Sequence, residues 1–135
     1  MPLPDVLRTL LTATGPSGYE TAPAAAFAQA CRAFTDDVAI DAMGSVVARV
    51  PGTGEGPVVA FVGHIDEIGL IITHIDEDGF LCFTGVGGWD PVILLGQRVE
   101  IRTRDGIVAG VIGRTPVHLL SGTDRKKVPE LRDLH

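Results

Sequence analysis

The stretch of sequence that decides the fold is Val58-Val59-Ala60-Phe61-Val62-Gly63-His64-Ile65-Asp66-Glu67-Ile68-Gly69. Its first five residues are apolar and lie between Gly56-Pro57 and Gly63, a pattern that predicts a strand buried on both faces. Ligand sites in open α/β sheets lie at the carboxyl ends of the strands. The stretch therefore predicts a functional site at His64 and the residues that follow it.

His64 and Asp66 are candidates for a metal-binding pair. An imidazole can give one ring nitrogen to a metal, and a carboxylate two residues later can hold the ring through its other nitrogen. The spacing alone is a weak signal, because a histidine at a strand end is more often structural than a ligand. Glu67 is an alternative as a general base, but strand alternation would point it away from Asp66.

The other histidines and the cysteines are not predicted to bind metal. His74 lies in an apolar-polar alternation typical of a half-exposed sheet surface, and His118 and His135 have no partners at metal-ligand spacing. Cys31 and Cys82 stand alone in a predicted helix and a predicted strand. We expect both to be small buried hydrophobic residues in a reducing cytoplasm.

Composition limits the class of protein and its partners. The 135 residues are 45% hydrophobic and 21% charged, which is typical of a globular chain with one core or two small ones. A net charge of -6 argues against a nucleic-acid partner. No apolar run approaches the ~20 residues of a membrane span, and the N-terminus lacks a signal-peptide pattern. These features predict a cytoplasmic protein without a membrane partner.

The first half of the chain predicts two helices and two strands. The helices span residues 5–13 and 20–34, and Ser17-Gly18-Tyr19-Glu20 has the spacing of a capping box before the second one. The strands span residues 38–40 and 46–50 around a turn. The second helix is expected to direct four residues into a core: Phe27, Ala30, Cys31 and Phe34.

The second half has the pattern of hairpins. Short strands are predicted at four ranges: 70–75, 80–84, 97–103 and 107–112. Asp-Gly pairs at residues 78–79 and 105–106 are hairpin signals, and strands at this spacing suggest a small β-barrel or sandwich. A short helix then begins at Thr123 and must end at Pro129.

Several ordered motifs together carry a family resemblance. After Gly63-His64-Ile65-Asp66-Glu67-Ile68-Gly69 come Thr73-His74-Ile75-Asp76, Gly87-Gly88-Trp89-Asp90-Pro91, Gly96-Gln97-Arg98-Val99, Gly110-Val111-Ile112-Gly113 and Pro116-Val117-His118-Leu119-Leu120. With the opening Pro16-Ser17-Gly18-Tyr19-Glu20, this order closely resembles the M42 family of metallo-aminopeptidases. The resemblance covers most of the chain.

The resemblance implies an α/β fold in two parts. Residues 1–69 would be the first part of the catalytic α/β domain, and residues 70–135 most of an inserted β-rich, barrel-like domain used for dimerisation and assembly. The resemblance also favours an interface position for Trp89, and a homo-oligomeric protein.

The resemblance also implies hydrolysis of peptide substrates at their N-termini with two divalent ions, zinc or cobalt. His64 would bind one metal, and Asp66 would orient His64 without touching the metal. The remaining ligands and the general base would come from later in the chain. We therefore expect the 135-residue chain alone to bind metal weakly or not at all and to be inactive.

Two other functions are weighed against this one. The chain could be a non-catalytic assembly module that acts only by association, in which case it would need no metal. A glycan hydrolase would need two carboxylates that flank a glycosidic bond. Asp66 and Glu67, adjacent on opposite strand faces, do not supply that arrangement.

Overall fold

The computed structural model describes residues 2–135. Contacts within the chain divide it into two compact units, and the boundary along the sequence falls between Glu67 and Ile68. The fold is mixed α/β with small antiparallel sheets. The first unit contains α1 (Asp5–Thr12), α2 (Thr21–Cys31), β1 (Val38–Ile40) and β2 (Val46–Ala48). The second contains β3 (Gly69–Ile75), β4 (Leu81–Val86), α3 (Pro91–Leu94), β5 (Arg98–Thr103), β6 (Gly106–Val111) and two short 3-10 helices, Asp124–Lys126 and Leu131–Asp133. None of the described helices is long and apolar enough to cross a bilayer.

Helix α2 provides the buried side chains of the first unit. Ala24, Ala28 and Cys31 lie on one helical face at spacings of four and three residues, and all three are buried. The prediction that Phe34 joins this core is wrong, because its side chain is 62% exposed. The helix ends at Cys31 and the chain turns, with the Phe34 N–H donating to the Cys31 carbonyl, before Phe34 can extend the buried face.

The hairpin of the first unit follows the prediction closely. β1 and β2 pair antiparallel, with Val38 opposite Ala48 and Ile40 opposite Val46. In the turn, the Asp41 carboxylate accepts hydrogen bonds from the backbone N–H groups of Met43 and Ser45 at 2.8 and 2.9 Å. This side chain therefore closes the hairpin locally.

Residues 58–62 depart from the prediction of a strand buried on both faces. Within residues 2–135 they pair with no strand, and the side chains of Val58, Phe61 and Val62 are 95%, 98% and 94% exposed. Both faces of a strand are buried only when neighbouring strands flank it and helices cover the sheet on either side. The described part of the chain supplies no such neighbours here, so this prediction is wrong for this chain.

The second unit consists of two separate hairpins around a small core. β3 pairs with β4 and β5 with β6, each as a two-stranded antiparallel sheet, so the described strands do not close into the predicted barrel. A barrel requires one continuous sheet whose first and last strands pair, and a two-stranded sheet cannot close in this way. The two hairpins instead pack on a small core. Its buried centre is formed by Leu94, Ile112 and Leu134.

Trp89 is a packing residue of the second unit. It lies against the core, and its indole Nε1–H donates to the Gly69 carbonyl at 2.8 Å. Gly87 nearby has φ +83°, and a Cβ at that position would lie 2.5 Å from Ile68 Cγ2. Only glycine fits this loop, which brings Trp89 to the start of β3.

Candidate metal centre

The imidazole of His64 is held by Asp66. Its Nδ1 lies 2.9 Å from Asp66 Oδ1 and 3.1 Å from the Asp66 backbone carbonyl oxygen. Because both partners are acceptors, they assign the proton of the neutral ring to Nδ1. Nε2 then carries the lone pair, and the His64 side chain is 86% exposed. This is the state in which a histidine can bind a metal through Nε2.

The second oxygen of the Asp66 carboxylate is held from the other side. Asp66 Oδ2 accepts a hydrogen bond from the Ser17 hydroxyl, 49 residues earlier in the chain. This hydroxyl is the largest cause that lowers the pKa of Asp66 below its ordinary value of 3.8, with His64 contributing in the same direction against the opposing effect of desolvation. Asp66 is therefore kept in the charged form that accepts from both neighbours.

Glu67 contacts the same loop as Asp66, at its first residue. Its Oε1 accepts from the Gly15 N–H at 2.9 Å, while its own N–H donates to the Gly15 carbonyl at 2.9 Å. Pro16 and Glu67 form a short parallel bridge. The carboxylates of Asp66 and Glu67 thus accept from two different residues of this loop, Ser17 and Gly15, and Glu67 serves to hold the loop 15–17.

Ser17 is a residue of this site that the sequence pattern did not indicate. Its spacing to Glu20 predicted a capping box, but Glu20 itself is the N-cap of α2 and the Ser17 hydroxyl donates to Asp66. The Glu20 carboxylate instead accepts from the Gly18 N–H at 2.7 Å. A motif such as Pro16-Ser17-Gly18 signals a loop, but nothing local in the sequence indicates a partner 49 residues away.

The other histidines lie apart from this pair along the chain and have other contacts. His74 is an exposed residue of β3 opposite Cys82, and the His135 ring packs edge-on against Phe80 at 4.6 Å. Over residues 2–135, no group of three or more His, Cys, Asp and Glu side chains could hold an ion. His64 fits the role of one ligand, but a catalytic zinc requires about three protein ligands.

Comparison with known proteins supplies the family. The sequence model of a protein family described as M42 glutamyl aminopeptidase matches residues 44–135 of this chain. FrvX of Escherichia coli (strain K12) is 40% identical over 124 residues, which cover 91% of this chain and 34% of FrvX. The chain therefore spans about a third of the length of this curated relative.

Two solved structures share both fold and sequence with the chain. The TET aminopeptidase of the marine sediment archaeon Thaumarchaeota archaeon SCGC AB-539-E09 has a TM-score of 0.89 at 39% identity, over 96% of this chain and 36% of its own. The TET1 peptidase of Pyrococcus horikoshii, which can assemble into a tetrahedron or a large octahedral shell, has a TM-score of 0.78 at 38% identity, over 96% and 38%. Because the family description covers more than half of the residues and the solved structures agree with it, this chain belongs to the M42 aminopeptidase family.

Proposed function

We propose that the protein to which these residues belong is a metal-dependent aminopeptidase that removes N-terminal residues from peptides, and that His64 binds one of its metal ions through Nε2. Membership of the M42 family supports the reaction class. The single observation that supports the role of His64 is the 2.9 Å contact between its Nδ1 and Asp66 Oδ1. This contact leaves Nε2 as the nitrogen for a metal.

The described residues contribute to this chemistry by orienting the His64 ring and by leaving that ring accessible to a metal and a substrate. Two divalent ions, zinc or cobalt, would supply a polarised carbonyl and an activated water when bound. Asp66 holds the His64 ring in one tautomer and raises the basicity of its free nitrogen. The exposure of His64 leaves room for a metal and a substrate beside the ring.

We assign the remaining ligands and the general base to the part of the protein that corresponds to the two thirds of the relatives not matched by this chain. One imidazole and one carboxylate that touches only the imidazole do not complete a catalytic metal site. We therefore propose that the 135-residue chain alone has no peptidase activity, and that the complete protein does.

We further propose that residues 70–135 form an inserted assembly domain and that the complete protein is a cytoplasmic homo-oligomer. The support for assembly is the TET1 peptidase of Pyrococcus horikoshii, which can assemble into a tetrahedron or a large octahedral shell. Trp89 is only partly buried against the core of its own unit, so its exposed part remains available for the proposed contact between copies.

An activity assay of the complete protein tests the proposed function. The enzyme is stripped with a chelator, reloaded with zinc or cobalt, and assayed with aminoacyl-anilide substrates. We expect metal to restore hydrolysis in the wild type and in the control variant His74→Ala, whose side chain lies exposed in β3. We expect no hydrolysis from His64→Ala. Equal turnover by His64→Ala and the wild type would rule out the proposed role of His64.

A further inference from the structure

Four hydrogen bonds attach the loop Gly15–Ser17 to Asp66 and Glu67, shortly after the candidate ligand His64. Gly15 and Glu67 are joined by two of them: the Gly15 N–H donates to the Glu67 side-chain Oε1 at 2.9 Å, and the Glu67 backbone N–H donates to the Gly15 carbonyl at 2.9 Å. The Ser17 N–H donates to the Glu67 carbonyl at 3.3 Å. The Ser17 hydroxyl donates to Asp66 Oδ2. The loop is therefore fixed to the site at both of its ends.

The hydroxyl of Ser17 restricts a carboxylate that would otherwise rotate. The Asp66 side chain is partly exposed at 37%, so packing alone does not fix its orientation. With Oδ2 held by Ser17, Oδ1 stays opposite Nδ1 of His64 at 2.9 Å. The Ser17 hydroxyl and the His64 Nδ1–H therefore donate to the two oxygens of one carboxylate, which links the hydroxyl to the imidazole ring.

The loop that presents Ser17 is itself supported from behind. Gly15 is buried, and a Cβ at this position would lie 2.4 Å from Pro23 Cγ and 2.8 Å from Pro23 Cδ in the first turn of α2. The loop therefore packs on the start of a helix and has no room to move toward it. Helix α2 thus supports the position from which Ser17 reaches Asp66.

We propose that Ser17 is a positioning residue of the metal centre, which sets the orientation and tautomer of His64 through Asp66 without touching metal or substrate. The inference rests on the proposed function only in identifying His64 as a ligand. Glu67 contributes indirectly, because its carboxylate anchors the loop at Gly15.

Nitrogen NMR of the metal-free 135-residue chain tests this inference without activity. The ring 15N shifts of His64 report its tautomer at about pH 8.5, roughly two units above the ordinary imidazole pKa. We expect mainly the Nδ1–H tautomer in the wild type, a smaller share of it in Ser17→Ala, and no change in Ser45→Ala, a control in the exposed hairpin turn.

A nearly isosteric pair isolates the hydroxyl from any packing effect. Threonine and valine add nearly the same bulk at position 17. Ser17→Thr keeps the hydroxyl, whereas Ser17→Val replaces it with a methyl group. We expect Ser17→Thr to retain the wild-type tautomer and Ser17→Val to lose it. Equal tautomer populations in these two variants, or a wild type without preference for Nδ1–H, would overturn the inference.

Zinc affinity of the complete protein separates this inference from the proposed function. We expect Ser17→Val to bind zinc more weakly than Ser17→Thr by up to about tenfold, the lower end of the losses seen for outer-shell partners. An unchanged tautomer, with zinc lost only in His64→Ala, would reject the role of Ser17 and leave the proposed function intact. A tautomer that responds to Ser17, with His64→Ala binding zinc as the wild type does, would reject the proposed function alone.

Discussion

Asp66 accepts a hydrogen bond from Ser17 on one carboxylate oxygen and lies 2.9 Å from the imidazole of His64 on the other. The two bonds use both oxygens of one carboxylate and link an N-terminal loop to a histidine near the end of the first unit. Four predictions depend on this arrangement and on the segment that precedes it.

The first prediction concerns the carboxylate itself. In the complete protein, Asp66→Asn should preserve the fold and lower zinc affinity or activity by about 10–100-fold, because the neutral amide makes the imidazole a weaker base. Zinc titration against a competing chelator measures this loss. Asp105→Asn, in the exposed turn between β5 and β6, is the control and should bind zinc like the wild type. Wild-type behaviour of Asp66→Asn at limiting zinc would show that the assigned role is wrong.

The second prediction concerns pH. The pKa of Asp66 is lowered in the folded chain, chiefly by the Ser17 hydroxyl. A depressed carboxyl pKa adds stability above the unfolded value, near 3.8, and this stability is lost as the pH falls through the lower folded value. Urea unfolding should therefore show Ser17→Ala less stable than the wild type at about pH 7, with the difference smaller at about pH 3. A difference that grows toward acid pH would contradict the assignment.

The third prediction separates the two roles considered for Glu67. Glu67→Gln keeps a side-chain oxygen that can accept from the Gly15 N–H, so the loop and the activity of the complete protein should survive. Glu67→Ala should speed hydrogen exchange at the Gly15 amide, because that donor loses its acceptor. A loss of turnover by several orders of magnitude in Glu67→Gln, with the loop intact, would instead identify Glu67 as the general base.

The fourth prediction concerns residues 58–62. This segment is uncharged, rich in β-branched residues and highly exposed, and it has no strand partner within residues 2–135. Exposed segments of this kind pair with other chains. We expect the 135-residue chain to self-associate through this segment, with a second copy supplying the neighbouring strand.

Sedimentation of single-site variants measures this association. Val59→Lys places a charge in the segment and should shift the chain toward monomer. Leu11→Lys, at a 70% exposed position in α1, is the matched control and should sediment like the wild type. If both variants remain associated, the contact between copies lies elsewhere, for example in the second unit.

The sequence predicts the hairpins well because their signals are local. β3 through β6 differ from the predicted ranges by at most two residues at either end, since alternation and an Asp-Gly turn determine each strand pair within a few residues. Helix α3 was missed because its four residues are too few to show periodicity, although Asp90 caps it through the Val92 N–H at 3.0 Å.

Features that depend on distant residues were not predictable in the same way. Whether Val58 and Phe61 are buried depends on neighbouring strands, and the apolar run itself does not specify those strands. In this chain both residues are exposed. The pairing of His64 with Asp66 was predicted because the two residues are close in sequence. The contact of Asp66 with Ser17 was not, because it depends on how the loop after α1 packs on α2.

Calorimetric titration of zinc into the chelator-stripped complete protein tests the central claim most directly. We expect two ions per chain for the wild type and the loss of at least one of them in His64→Ala, while His74→Ala binds both. Two ions bound by His64→Ala with wild-type affinity would contradict the claim that His64 is a metal ligand.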